Sequence, residues 1–337
     1  MPAIESLKQS ITVNESISVV PGEVKSSSYL LQPIEVSKSA GALQDLPRYI
    51  QTLPGVVFGA DDFRNDIVVR GGSPLENLYV VDNVEIPNIN NFASFASAGG
   101  VVSMLDAGLL QDVNFLSGGY PAPYINRLSS VLQVTQREGD REAFHGRVTA
   151  GFAGAGGILE GPVGKLEKGS FVLSARRSFL DLFTDDIGFG GVPVNYSYSG
   201  KITYDLTPND RIWVVGVSGV DNVRIRPDAT DEEQSDNIYN IDYNGWRTAT
   251  GFNWQRLFGS SGVGLLGLTH SEAGVKSRLE NQLRNNLNIY NEKNREGETT
   301  LKYDLTLYTP NPRQSPSRRQ IQDLPCPLPH RPALRLR

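Results

Sequence analysis

Two rhythms of apolar and polar residues divide this chain near Gly139. Downstream of it, side chains alternate with period two, the spacing of a strand with unlike faces. In "KITYDLT", Ile202, Tyr204 and Leu206 share one face, with Lys201, Thr203 and Asp205 on the other. "LKYDLTLY" repeats the pattern with Leu301, Tyr303, Leu305 and Leu307 against Lys302, Asp304 and Thr306. Trp246, Thr248, Thr250, Phe252 and Trp254 line one side of "WRTATGFNWQRLF", and Trp213, Val215 and Val217 one side of "RIWVVGVSG". "GRVTAGFAG" sets Val148, Ala150 and Phe152 opposite Arg147 and Thr149. Short turns at 208–210 and 259–262 alternate with long polar loops near 225–237 and 276–296. Strands of roughly ten residues joined in this way suit an outer-membrane barrel. A soluble β-sandwich alternates too, and period two alone does not separate them. Aromatic residues near strand ends (Phe171, Phe179, Tyr204, Trp213, Trp246, Phe258) are placed as an interfacial girdle would be.

Upstream of Gly139 the pattern is mixed. "SITVNESISVV" predicts a short strand stopped at Pro21-Gly22. Leu46, Ile50 and Leu53 recur at helical spacing, with Pro47 in the first turn and Pro54-Gly55 as the stop. Ile67-Val68-Val69 and Leu78-Tyr79-Val80-Val81 flank Arg70-Gly71-Gly72-Ser73-Pro74, which predicts a hairpin hinged at Arg70, with Asp82 and Asn83 at its far end. The stretch 101–124 predicts a helical turn and a strand ending at Gly118-Gly119, and 127–139 a further strand.

Composition narrows the function. The chain has 337 residues, 39% hydrophobic, a net charge of −5 and a pI near 5.4. That balance argues against a nucleic-acid partner. Cys326 is the one cysteine, and His145, His270 and His330 lie far apart, so neither a disulfide nor a zinc site is expected. No stretch of eighteen apolar residues occurs. "MPAIESLKQS" lacks the features of a signal peptide. Read alone it points to the cytoplasm; it also fits a chain that begins downstream of its true start. Gly164-Lys165 and Lys168-Gly169-Ser170 lack the spacing of a phosphate loop, since Leu159 stands where its first glycine belongs. They read as a turn between strands. Asp61, Asp62 and Asp66 match no calcium loop. No catalytic set emerges, and neither an enzyme nor a cofactor is expected. From Pro310 onward proline and arginine dominate, as in a disordered tail or a shifted reading frame that begins after Leu301–Tyr308.

"LPGV" at Leu53–Val56, "DIVVRGG" at Asp66–Gly72 and "LYVVDNVEIPN" at Leu78–Asn88 together resemble the plug domain of TonB-dependent receptors. Leu109–Gly139 resembles the closing element of that plug. Gly161–Phe183 is similar to an early wall hairpin of the branch that carries a carboxypeptidase-like regulatory domain upstream. The resemblance implies a mainly β protein: a small α+β plug, then antiparallel strands of a transmembrane β-barrel. The expected division is an N-terminal extended segment at 1–39, the plug at 40–138, wall strands at 139–309 and an aberrant tail at 310–337. The resemblance further implies a location in the outer membrane against lipid, and energised uptake of a siderophore, cobalamin or glycan, driven by a TonB-type coupling protein. About seven strands fit between Gly139 and Thr309, against 22 in the family's barrel, so a fragment is expected. A soluble ligand- or glycan-binding module is the alternative. Glu15, Ser16, Ile17, Ser18, Val19 and Val20 match the style of the family's partner-docking segment, or else a strand of an upstream domain. Arg70 and Asp82 are expected to lock the plug, with Asp82, Glu76 or a wall residue accepting from Arg70, and Gly71 and Gly72 freeing the backbone between. The alternative is a local salt bridge. A polar plug skin, satisfied by hydrogen bonds rather than apolar packing, is expected throughout.

Overall fold

The computed structural model describes residues 27–39, 45–57, 65–93, 100, 102–120, 124, 127–151, 154–165, 167–178, 193–226, 239–282, 286–308 and 318–321. The first part folds around a five-stranded sheet of β1 (Ser28–Leu31), β4 (Leu78–Val81), β5 (Val84–Ile86), β6 (Leu110–Leu116) and β7 (Val131–Gln136), ordered β1-β6-β7-β4-β5. Two short helices, α1 (Pro33–Lys38) and α2 (Leu46–Ile50), pack on it. Pro47 lies in the first turn of α2, and Gly55 takes a positive φ of 81° shortly beyond its end, as the sequence predicts. Val36, Ile50, Val81, Val113, Phe115 and Leu132 are the centre of the plug's core. Tyr29 stacks on Phe115 at 6.2 Å between ring centres.

The hairpin expected across Arg70 does not form. Val68–Val69 (β3) pairs with Val56–Val57 (β2) in a separate two-stranded sheet, while β4 pairs antiparallel with β5 and parallel with β7. The segment between holds a 3-10 turn at Pro74–Glu76, closed by a reciprocal Ser73–Glu76 capping box. The true hairpin turn is Asp82-Asn83. Both residues have positive φ (46° and 72°), as a two-residue primed turn demands.

The second part is one antiparallel sheet in chain order: β8 (His145–Gly151), β9 (Gly154–Pro162), β10 (Gly169–Ser178), β11 (Pro193–Thr207), β12 (Asp210–Ile225), β13 (Tyr239–Leu257), β14 (Gly262–Asn281), β15 (Leu287–Leu307) and β16 (Arg318–Ile321). Among the described residues, eight strands rather than about seven occupy the stretch up to Leu307. Those from β11 to β15 are 15 to 21 residues long, not about ten. The loop expected near 276–296 is instead the upper reach of β14 and β15, whose register runs from Leu307 to Leu287 with one bulge at Leu279–Glu280. Residues 163–165 and 167–168 turn between β9 and β10, as expected. Four residues of the Pro/Arg-rich tail, Arg318–Ile321, pair with β15; the rest of the tail lies outside the described residues.

The sense of the alternation settles what each face meets. Ile202, Val214, Phe252, Leu268 and Leu301 line up across five strands, and all are exposed. Their inward neighbours Lys201 and Val215 are buried against the plug. A sandwich would bury the apolar face; here it is the outer one. Tyr204, Ile212, Trp254, Leu266 and Tyr303 form a row on one side of this band, and Tyr196, Val220 and Trp246 a row on the other. The rows are separated by eight residues along β11, roughly 26 Å of strand. A tilted strand of that length crosses most of an apolar band about 25 Å tall. Trp213 does not join this girdle. It belongs to the inner face and touches the plug, and Phe179 lies outside the described residues.

Candidate functional site: the contact between plug and wall

The Asp82-Asn83 turn carries the plug sheet onto the wall. Asp82 Oδ1 accepts a hydrogen bond from Lys201 Nζ of β11 at 2.7 Å, and the Asp82 carboxylate also accepts from Gln136 N at 3.2 and 3.3 Å. Lys201 Nζ donates a second bond to Gln136 O at 2.8 Å. The Asp82 carbonyl accepts from Trp213 Nε1 and Asn253 Nδ2, both at 3.3 Å, and Asn83 Nδ2 donates to Asn253 Oδ1 at 2.8 Å. The side chains of Asp82 and Lys201 are 3% and 9% exposed, so the ion pair is desolvated. Burial pushes the Asp82 carboxyl up, against the pull of the Lys201 ammonium. Two wall glycines make room for the turn. A Cβ on Gly251 would stand 2.3 Å from Val84 Cγ2, and one on Gly267 2.8 Å from Asn83 Nδ2.

A second contact lies toward the upper girdle row. Asp221 of β12 accepts from Arg247 Nη1 of β13 at 3.0 Å, and both side chains are almost fully buried. Arg247 donates to the plug carbonyls of Asn90 and, at 2.7 Å, of Ala93, while Asp221 Oδ2 accepts from Phe92 N at 2.8 Å. Tyr243 Oη donates to Ala93 O at 2.9 Å. Phe92 sits at a φ of 59°, a conformation that costs a bulky L-residue about 1 kcal/mol or more. Four wall-anchored hydrogen bonds to its own loop hold it there.

On β10, Arg176 Nη2 donates to the plug carbonyls of Ser103 (3.0 Å) and Leu105 (2.8 Å), and Ser174 Oγ donates to Asp106. Ser103 N in turn donates to the buried Asp45 carboxylate at 3.2 and 3.3 Å, which also accepts from Asn65. Burial lifts the Asp45 carboxyl to about 6, with Arg176 pulling the other way. Where the plug hands over to the wall, Glu138, Arg141, Asp205 and Arg211 form a ring of ion pairs. Its contacts are Arg141–Asp205 at 2.6 Å, Arg141–Glu138 at 2.7 Å, Arg211–Asp205 at 2.6 Å and Arg211–Glu138 at 3.2 Å.

The plug skin is not wholly polar. Val215, Val217 and Ala249 of the wall pack into the plug's own core, and Ile158 and Val172 enclose Leu109.

Arg70 and Asp82 do not meet, and each has its own partners. Arg70 donates through Nη2 to Ser27 Oγ (3.0 Å) and Ser117 Oγ (3.4 Å), within the plug. Neither Asp82 nor Glu76 accepts from it; Glu76 is turned back to cap Ser73 N. Arg70 and Gly71 both have positive φ (49° and 80°). Gly72 faces Ser129 so closely that a Cβ would fall 2.7 Å from its Oγ. Glu15 to Val20 lie outside the described residues. Sequence reasoning missed Lys201, Asp221 and Arg247. Charged residues at inward positions of otherwise apolar strands were the available signal.

A sheet apolar on its outer face and largely polar on its inner face, with a smaller α+β domain packed inside it, is the arrangement of the plugged outer-membrane barrels. The chain has the fold of the TonB-dependent receptors. It is 28% identical over 144 residues to the TonB-dependent transporter Oar of Myxococcus xanthus, an alignment covering 43% of this chain and 13% of that protein. Among solved structures, FpvA of P. aeruginosa bound to heterologous pyoverdines aligns over 87% of this chain and 41% of its own, at 15% identity and a TM-score of 0.60. A second structure, the pyoverdine outer membrane receptor FpvA from Pseudomonas aeruginosa PAO1 bound to pyoverdine, covers 89% and 45%, at 16% identity and a TM-score of 0.59. The FrpB iron transporter from Neisseria meningitidis covers 83% and 45%, at 13% identity and a TM-score of 0.56. The chain thus spans less than half the length of these relatives. No family model matches it. These relatives are transporters and receptors, not enzymes.

Proposed function

We propose that the chain serves as the plug and adjoining wall of a TonB-dependent receptor that takes up a small nutrient across the outer membrane. The plug gates the path, and a TonB-type coupling protein pulls on its N-terminal side. The observation that carries this reading is the attachment of the plug. Its wall contacts are mainly hydrogen bonds and ion pairs through Asp82, Asn83, Gln136, Asn90 and Ala93. Water can replace each of those bonds as the plug moves, which a dry apolar seal does not allow. In this reading Asp82, with Lys201, is the lock between plug and wall. Arg70 acts inside the plug, holding residue 27 to the end of β6, and Gly71 and Gly72 give that corner its backbone shape. The segment Glu15 to Val20 is the site at which the coupling protein docks by strand addition. Siderophores, cobalamin and glycans are the nutrient classes to test.

The test is energised uptake in cells carrying the receptor. Lys201→Met is expected to raise passive entry of bulky antibiotics, and Asp82→Asn combined with Lys201→Met to restore the barrier. Unchanged permeability in Lys201→Met, with the protein present in the outer membrane, would exclude Asp82–Lys201 as the lock. Uptake that persists after the proton gradient is collapsed would refute energised transport.

A further inference from the structure

The alternation of the wall reverses its meaning along β12 to β15. Across the lipid band the apolar residues point outward. Beyond the Tyr196–Trp246 row, the outward positions carry Arg224, Asp242, Lys276, Arg278, Glu280 and Lys293, with Arg278–Glu280 paired at 2.5 Å and Arg224–Asp242 at 3.8 Å. The apolar residues have moved to the inner face. Ile225 pairs with Ile241, Ile241 with Leu279, and Leu279 with Tyr290, so these four form one inward row over four strands. Tyr243 lies one row below it, 6.4 Å from the plug's Phe92 between ring centres. A charged outer face is what a strand needs once it leaves lipid for water. An apolar inner face is not, because the lumen above the plug is wet. Ile225, Ile241 and Leu279 are half-buried and Tyr290 is exposed, and apolar area that stays accessible in such a place marks a contact surface.

Charge decides what kind of ligand the surface fits. On the same inner face of β15, Glu292, Glu296 and Glu298 continue from Tyr290 toward the plug; Glu292 is half-buried and the other two are exposed. Tyr290 Oη donates to Glu292 Oε2 at 3.0 Å and Asn294 Nδ2 to Glu292 Oε1 at 2.6 Å, which shows that these alternate residues share one side. The apolar row is therefore continuous at one end with the plug, through Tyr243 and Phe92, and flanked at the other by carboxylates. We infer that this inner face of β12 to β15 is a binding surface for a cationic amphiphile, a short basic peptide with an apolar or aromatic side chain. The apolar side chain lies on Ile241, Leu279 and Tyr243, and its amines face Glu292, Glu296 and Glu298. This rests on the receptor reading, which supplies the inside and the outside of the wall, and it names the substrate class of that receptor.

The experiment uses the full chain in detergent, with a dansyl-labelled Lys-Leu-Trp-Lys amide as probe and fluorescence anisotropy as readout. Glu-Leu-Trp-Glu and cellotriose are the competitors. The basic peptide is expected to bind, and neither competitor to displace it. Ile241→Asp with Leu279→Asp should weaken binding about tenfold or more. Glu292→Gln, Glu296→Gln and Glu298→Gln together should weaken it roughly threefold and remove its salt dependence. The outward Arg278→Gln should leave it unchanged. Far-ultraviolet circular dichroism of each variant verifies that the sheet is intact. Equal binding of the acidic peptide, displacement by cellotriose, or binding indifferent to the inner-face changes would each overturn the proposal. Membrane fractionation separates the two levels of inference. A protein recovered with outer membrane that ignores the peptide sinks only this proposal, whereas one recovered from the soluble phase sinks the receptor reading beneath it.

Discussion

The plug and the wall are built from the same alternation and use it in opposite senses. In the plug, apolar residues turn inward: Ile50, Val81, Val113 and Phe115 are essentially inaccessible, and the polar residues around them reach outward to the wall. In the wall many inward residues are polar and buried, among them Lys201, Ser197, Asn253, Asp221 and Arg247, beside an apolar minority such as Val215, Val217 and Ala249, while the outward Ile202, Val214, Phe252 and Leu268 are exposed. The plug has an apolar core, which Val215, Val217 and Ala249 of the wall join at one side. The wall has a core only by virtue of what stands on either side of it, lipid outside and plug inside. The hydrophobic effect therefore holds the plug together, whereas the plug is held to the wall mainly by polar contacts, with Val215, Val217 and Ala249 adding an apolar patch.

That contrast can be broken at several points. The largest effect is expected from Phe115→Ala, which empties the centre of the plug and should cost about 3–5 kcal/mol of plug stability. Protease digestion of the plug, with the wall surviving, would register it. Loss of wall and plug together would show that the two do not have separate cores. Lys201→Met comes next in the plug–wall contact, because it leaves the Asp82 carboxylate buried without its cation at a cost of about 3 kcal/mol. Hydrogen exchange of the Asp82-Asn83 turn should accelerate, and the double change with Asp82→Asn should recover much of the loss. Val214→Arg places a charge in the middle of the outer apolar row, at about 2–3 kcal/mol. Insertion into lipid vesicles should fall, while the plug, measured by its protease resistance, should not respond. Gly251→Val should push the turn out of its notch for about 1–3 kcal/mol, since its Cβ meets Val84. Exchange confined to the β4–β5 turn is the expected signature.

The mildest probe is pH. Burial raises the Asp45 carboxyl from 3.8 to about 6, so the folded plug binds a proton that the unfolded chain releases at lower pH. Between roughly pH 4 and 6 the native state holds more protons, and stability falls as pH rises through that window. The stabilisation is complete below about 4 and gone above about 6. Asp45→Asn should reduce the slope of urea midpoints across the window, leaving what the raised Asp82 carboxyl contributes, and a slope equal to that of the unchanged protein would assign the titration to another group.

Much of the wall was legible in the sequence because period two is rigid: any residue of "KITYDLT" fixes the face of the others. Its sense was not legible, since Lys201 and Ile202 alternate in the same way whether the outside is lipid or water. The upper reach of β14 and β15 read as loop for a related reason. Once the outer face becomes Lys276, Arg278 and Glu280, nearly every other residue is charged and the apolar signal that marks a strand fades. In the plug, Arg70-Gly71-Gly72 carried turn chemistry and did turn the chain, but between two different sheets. No local rule tells a hairpin from a crossover when β4 takes its partners from β5 and from β7, the latter 50 residues downstream. Lys201 could not be singled out from sequence as the partner of Asp82. The two stand 119 residues apart, and only the close approach of the two sheets at Gly251 and Gly267 brings them together.

Three indoles are distributed so that the molecule carries its own optical reporter. Trp246 and Trp254 belong to the outer rows and sense the detergent or lipid around the sheet. Trp213 alone is hydrogen-bonded to the plug, through its Nε1 to the Asp82 carbonyl. With the two outer indoles replaced by phenylalanine, the emission colour of the remaining one would follow undocking of the turn in real time, with no label attached to the moving part.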